Sequence, residues 1–231
     1  MENQEPNEQV IRHQPREKPI EPSTGDPSSH EKISAHIEKH IGPISYVLHE
    51  IVSEMIHVDI YVVLPTPKRP FTTLITQGMS DLPMTTPQVQ ESRAYAELVI
   101  CLLPDWPLDE VSLRDERFYW PIRLVKTIAR FPHEYKTWLF VKHTIPNGDP
   151  PKTYSPGTEM CCALITTARC VPKEFWELRV NEQKNIYFLG LVPLYRQEME
   201  FKLTNGAPEL IKKLNENKIA EFLYKKRKSV V

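Results

Sequence analysis

The chain switches between two hydrophobic rhythms from Ser28 to Leu214. Ile33, Ile37 and Ile41 recur at steps of four, which puts them on one helical face. Ser28 and Glu31 stand three apart, as in a capping box, and Gly42-Pro43 closes the segment. The rhythm then shortens to two. Ile44 to Ile51 is a first predicted strand. From His57 to Leu64, the residues Val58, Ile60, Val62 and Leu64 face one way, and His57, Asp59, Tyr61 and Val63 the other. Further strands are predicted at Phe71 to Thr76, Tyr95 to Leu103, Trp138 to His143, Met160 to Thr167 and Ile186 to Pro193. A helix is predicted from Pro121 to Arg130, opening on a proline that fixes φ and lacks an N–H. Phe175 to Leu178 reads as a helical turn. Tyr195 to Thr204 reads as a helix ending at Asn205-Gly206, and Ala207-Pro208 opens another with Leu210, Ile211 and Leu214 as its stripe. Strands clustered in runs predict an α+β fold, a mixed, largely antiparallel sheet flanked by helices.

Composition divides the chain unevenly. Residues 1–28 hold five prolines, many charged and amide side chains and almost nothing apolar, so they read as a disordered tail. Residues 29–224 are enough for one domain. Residues 225–231 follow as a basic tail, in which Lys225-Lys226-Arg227-Lys228 reads as a solvated terminus. A net charge of −1 is a weak lure for nucleic acid, which usually meets a strongly basic face. No apolar run approaches the roughly 18 residues that span a bilayer, so no membrane contact is expected. The N-terminal stretch lacks the apolar segment of a secretion signal. Cys101, Cys161, Cys162 and Cys170 form no CxxC pair, so free thiols in a reducing compartment, the cytoplasm, are expected.

The sequence carries little that points to catalysis. With seven glycines and no GxG, it has neither a dinucleotide fingerprint nor a phosphate-cradling loop, and no cofactor is implied. GxSxG and HExxH do not occur. His57-x-Asp59 on one strand face suits two metal ligands, with Asp81, Glu97 or His143 as a third; a hydrogen-bonded pair is the plainer reading. His36 and His40, four apart, read as exposed histidines beside the isoleucine stripe. Trp106, Trp120 and Trp138 adjoin prolines or charged loops and suit either a partner surface or the core.

Several stretches together resemble the suppressor-of-fused domain family. They are His57 to Pro67, Gly78-Met79-Ser80-Asp81, Ala96 to Pro104, Trp120-Pro121-Ile122-Arg123, Ala129-Arg130-Phe131-Pro132 and His143 to Pro150, and they match its stand-alone bacterial members best. The resemblance implies an α+β fold and no known catalytic activity. In animals such proteins restrain Hedgehog signalling by binding Gli-type transcription factors; bacterial members are often viewed as immunity proteins that neutralise toxins. The expected function is therefore a non-catalytic protein-binding module, immunity- or antitoxin-like, with a toxin encoded nearby as the partner. Sequestering a transcription factor is the alternative, and a metal-dependent enzyme using His57, Asp59 and His143 a more distant one. Asp59, Tyr61, Asp81, Trp106, Trp120, His143 and Asp149 are the expected partner-binding residues. Glu97, Asp105 and Asp109 join them as acidic groups suited to a basic cleft.

Overall fold

Four strands with both faces apolar build the centre of the molecule, and helices cover them on either side. The computed structural model describes residues 27–50, 56–224 and 227–231. The expected N-terminal tail therefore lies outside the described residues, except for Pro27 and Ser28, which form the first turn of α1 (Pro27–His40). The strands are β1 (Tyr46–Leu48), β2 (Asp59–Val63), β3 (Thr72–Gln77), β4 (Tyr95–Leu102), β5 (Thr144–Pro146), β6 (Met160–Thr167), β7 (Glu177–Arg179), β8 (Asn185–Tyr195) and β9 (Phe222–Leu223). They form one sheet in the order β1-β2-β3-β4-β8-β6-β5, with β7 on β8 and β9 on β4. Pairing is antiparallel except for β4 with β8 and β4 with β9. The sheet is mixed and mostly antiparallel, as predicted.

One face packs against α2 (Glu116–Glu134). Ile60, Val62, Leu74, Leu98, Ile100 and Leu191 meet Trp120, Leu124, Val125 and Ile128 there. On the other face, Ile33 and Ile37 of α1 pack over Tyr61, Val63, Ile75, Val99 and Phe188. Farther along that face, α3 (Arg196–Asn205) and α4 (Ala207–Glu216) close Leu210 and Leu214 over Leu164, Val192 and Leu194. Burial of both faces explains the near-continuous apolar text of β4 and β8.

The structure corrects several sequence expectations. Helix α2 starts five residues before Pro121, where Asp115 caps it by accepting from the Arg117 N–H at 2.8 Å. It also runs through Pro132; each proline only deprives the carbonyl four residues back of a donor. Trp138 to Leu139 and on to Val141 is irregular backbone whose side chains pack against the α2 core, and the strand begins at Thr144. Glu177-Leu178 is strand, preceded by a 3₁₀ turn at Lys173–Phe175. Of the first predicted strand, only Tyr46–Leu48 pairs; residues 51–55 lie outside the described residues.

Candidate functional site

Strand register places the polar and apolar candidates at opposite ends of the sheet. Asp59 pairs with Gln77, and Tyr95 with Ile186, at one end. Val63 pairs with Thr73, Thr72 with Leu102 and Leu102 with Leu223 at the other.

At the polar end, Asp59 gathers two histidines and a backbone N–H around its carboxylate. His49 Nδ1 lies 2.8 Å from Oδ2, His57 Nε2 lies 2.9 Å from Oδ1, and the Glu50 N–H donates to Oδ1 at 2.9 Å. The Glu50 carboxylate meets the Arg130 guanidinium and accepts from the Val58 N–H, and Lys126 is 3.9 Å away. These contacts fasten the β1–β2 corner to α2. Among the described residues, no three His, Cys, Asp or Glu side chains gather as metal ligands. His143, one of the three residues considered as a third ligand, precedes β5 at the far border of the sheet. His57 and Asp59 stand as a close ion pair, with 2.9 Å between Nε2 and Oδ1.

Next to it, Glu97 is fully buried and accepts four bonds: from Thr76 Oγ1 at 2.6 Å, Gly78 N–H at 3.1 Å, and Ser80 N–H and Oγ at 2.9 and 2.6 Å. Burial pushes its carboxyl up to about 7, against the pull of those donors. Gly78 has φ 112°, and a Cβ there would lie 1.8 Å from the His57 carbonyl oxygen, so the turn needs glycine. Asp81 bonds His30 Nε2 at 2.8 Å with only 2% of its side chain exposed. His36 is no surface histidine either. It stacks on Phe175 and Phe188, donates to the Phe175 carbonyl at 3.1 Å, and burial lowers its pKa.

The seven expected contact residues do not converge. Tyr61, Trp106 and Trp120 are buried in the core. Trp120 stacks on Tyr154 at 5.5 Å, and Trp106 donates from Nε1 to the Phe118 carbonyl. His143 is half-buried, edge-on to Trp138 at 4.8 Å. Asp149 is exposed in the loop after β5, far from Asp59 along the sheet. Of the acidic groups, Glu97 and Asp81 are lost to the interior, while Asp105, Asp109 and Asp149 remain at the surface.

Sequence reasoning passed over the opposite end. There Tyr46, Leu64 and Tyr224 are 36%, 45% and 43% exposed. Half-buried Phe71 and Phe222 meet edge to face at 5.4 Å, and Phe222 contacts Tyr224 at 4.8 Å. Arg69 donates to the Leu64 and Phe71 carbonyls at 2.8 and 3.0 Å and covers the Phe71 ring. Val89 and Val111 are more exposed, but each stands in a polar run of sequence. The signal that could have revealed this patch is that Leu64 and Phe71, the terminal residues of two predicted strands, flank the turn-forming run Pro65 to Pro70. The same end carries the last segment of the chain. The reading of 225–231 as solvated fails for Arg227, whose side chain is 6% exposed and paired with buried Glu198.

The fold and chain match known proteins. The family model for Suppressor of fused protein (SUFU) matches residues 54–228. A SUFU homolog from Neisseria gonorrhoeae FA 1090 superposes with a TM-score of 0.63 at 16% identity, covering 87% of this chain and 96% of that one. The Sufu–Fu complex gives a TM-score of 0.59 at 14% identity, covering 91% and 93%. Drosophila Suppressor of Fused gives 0.51 at 14% identity over 75% of this chain and 42% of its own length. No curated protein sequence matches. With its family model covering about three quarters of the residues, the chain belongs to the Suppressor of fused protein (SUFU) family.

Proposed function

We propose that this chain is a non-catalytic protein-binding module that uses the apolar end of its sheet. The observation that carries the reading is the row Tyr46, Leu64, Phe71, Phe222 and Tyr224, drawn from four strand ends and left partly in water. Aromatic side chains with limited rotamer freedom are favoured anchors of protein interfaces. Strand β1 borders the sheet beside this row and, among the described residues, pairs only with β2. A partner strand could therefore add to it while covering Tyr46. Border strand β5 is less suited, because Pro146 supplies no N–H. Kinship with a protein solved in a Sufu–Fu complex supports a binding role.

Within that reading, the partner is a toxin and the role immunity-like. The likeness to a bacterial family member supports this. Two experiments test the two levels. Affinity purification from the native host, followed by titration of the purified partner, reads out binding. The double substitution Leu64→Asp, Tyr224→Asp should weaken the complex at least tenfold with an unchanged melting temperature. Equal binding by wild type and variant would sink the proposed surface. Co-expression with the partner so purified tests the finer role: the partner alone should arrest growth, which should be rescued by wild type and not by the variant.

A further inference from the structure

The segment Arg227–Val231 is held as a bound peptide would be. Glu198, in the first turn of α3, is fully buried. Its carboxylate takes two parallel bonds from the Arg227 guanidinium, at 2.5 and 2.6 Å. It also accepts from the Val230 N–H at 3.1 Å and the Tyr195 N–H at 2.9 Å. The guanidinium donates to the Pro193 carbonyl at 2.8 Å and lies 4.8 Å from the centre of the Tyr195 ring. The Tyr195 hydroxyl donates to the Arg227 carbonyl. Three residues on, Val230 packs into the apolar cluster of Val192, Leu194, Leu210 and Leu214.

A buried carboxylate, an aromatic face and a backbone carbonyl around one planar cation form an arginine receptor. Three of the hydrogen bonds to Glu198 come from this segment and one from the Tyr195 N–H. Strand β8 runs parallel to β4, so Tyr195 at its C-terminal end lies at the apolar end of the sheet. The receptor and the Tyr46–Tyr224 row thus share that end, and Arg227 follows Tyr224 by three residues.

We propose that Glu198, Tyr195 and Pro193 form a receptor for an extended peptide of the pattern Arg-x-x-Val, occupied by the chain's own Arg227–Val231 until a partner segment of that pattern displaces it. This deepens the binding reading above and rests on it. The tethered segment competes at a local concentration on the order of millimolar, so the wild-type chain should hold such a peptide only weakly. Emptying the receptor should expose its full affinity.

The test uses the full chain and the synthetic peptide acetyl-Arg-Lys-Ser-Val-Val-amide. Arg227→Ala should bind the labelled peptide about tenfold or more tightly than wild type in fluorescence anisotropy. Adding Glu198→Gln to that variant, or replacing the peptide's arginine by alanine, should abolish the gain. Arg227→Ala leaves a buried carboxylate without its cation and should melt lower, and the peptide should restore the melting temperature. If the variant folds only with peptide present, its recovery on peptide addition is the readout. A variant that neither binds nor is rescued by 1 mM peptide overturns the proposal, with 1 mM about the effective concentration set by a short tether. In wild type, the Val230 amide should exchange hydrogen by local opening, faster than the β8 core amides; exchange only through global unfolding would equally overturn it. These measurements need no natural partner, so a failed partner capture would strike the binding reading and not the receptor.

Discussion

Glu97 offers the sharpest test of how this fold handles charge. Two effects oppose each other at its carboxyl. Full burial disfavours the anion, while Thr76, Gly78 and Ser80 supply four donors that favour it. Burial prevails and lifts the group from 4.5 to about 7. The folded chain therefore binds a proton between about pH 4.5 and 7 that the unfolded chain has released. Stability from this group is highest below the unfolded value and falls as pH rises toward the folded one. Lifting the carboxyl from 4.5 to about 7 corresponds to about 3 kcal/mol lost by pH 7.5. Glu97→Gln removes the titration. The assay is urea unfolding of both proteins at several values between pH 4.5 and 7.5. His36 and His133, both lowered by burial, lose stability as pH falls in the same range, but they are common to both proteins and cancel in the difference. Wild-type stability minus that of the variant should decline by about 3 kcal/mol as pH rises over that interval. A flat difference, or one that rises, would show that the four donors outweigh burial and would refute the reasoning.

Two stability predictions follow from the same regions. Gly78→Ala should destabilise by more than the roughly 1–2 kcal/mol of a left-handed backbone alone, because the new Cβ would strike the His57 carbonyl; an unchanged urea midpoint would contradict this. Trp120→Ala should cost about 3–5 kcal/mol by chemical denaturation, since a ring 2% exposed leaves a cavity between Trp106 and Tyr154; a loss below about 1 kcal/mol would mean the site collapses without penalty.

What the sequence made legible tracks the range of the interactions. The Ile33, Ile37 step of α1 and the apolar runs of β2, β4, β6 and β8 follow from local periodicity, and the structure has them where the pattern puts them. The start of α2 was hidden because Pro121 resembles a helix opener, whereas the true cap is the less conspicuous Asp115. Trp138 to Val141 misled because apolar text records burial, not pairing. At the candidate sites, aromatic type could not separate Trp106 and Trp120, which are core, from Phe222 and Tyr224, which are surface. The His57–Asp59 pair was visible at two-residue spacing, but His49 joins it only through β1–β2 pairing. The Arg227–Glu198 pair spans 29 residues, and nothing local in a basic run distinguishes the one arginine that is buried.

The contrast between the two ends of the sheet decides where binding free energy can come from. At the polar end, the acidic groups already have partners: Asp59 has His49, His57 and the Glu50 N–H, Glu50 has Arg130, Asp81 has His30 and Glu97 has four donors. A partner docking there would have to break these bonds before making its own, and each buried carboxylate deprived of its donors would oppose it. At the apolar end the sign is reversed. Leu64 and Tyr224 keep much of their surface in water, and covering such a side chain is worth up to about 1.5–3 kcal/mol. The Glu198 receptor adds what a hydrophobic patch lacks, a directional, charge-specific contact that only a guanidinium of the right reach satisfies. Apolar area supplies affinity, the buried carboxylate supplies selectivity, and strand register brings both to the same end of the sheet.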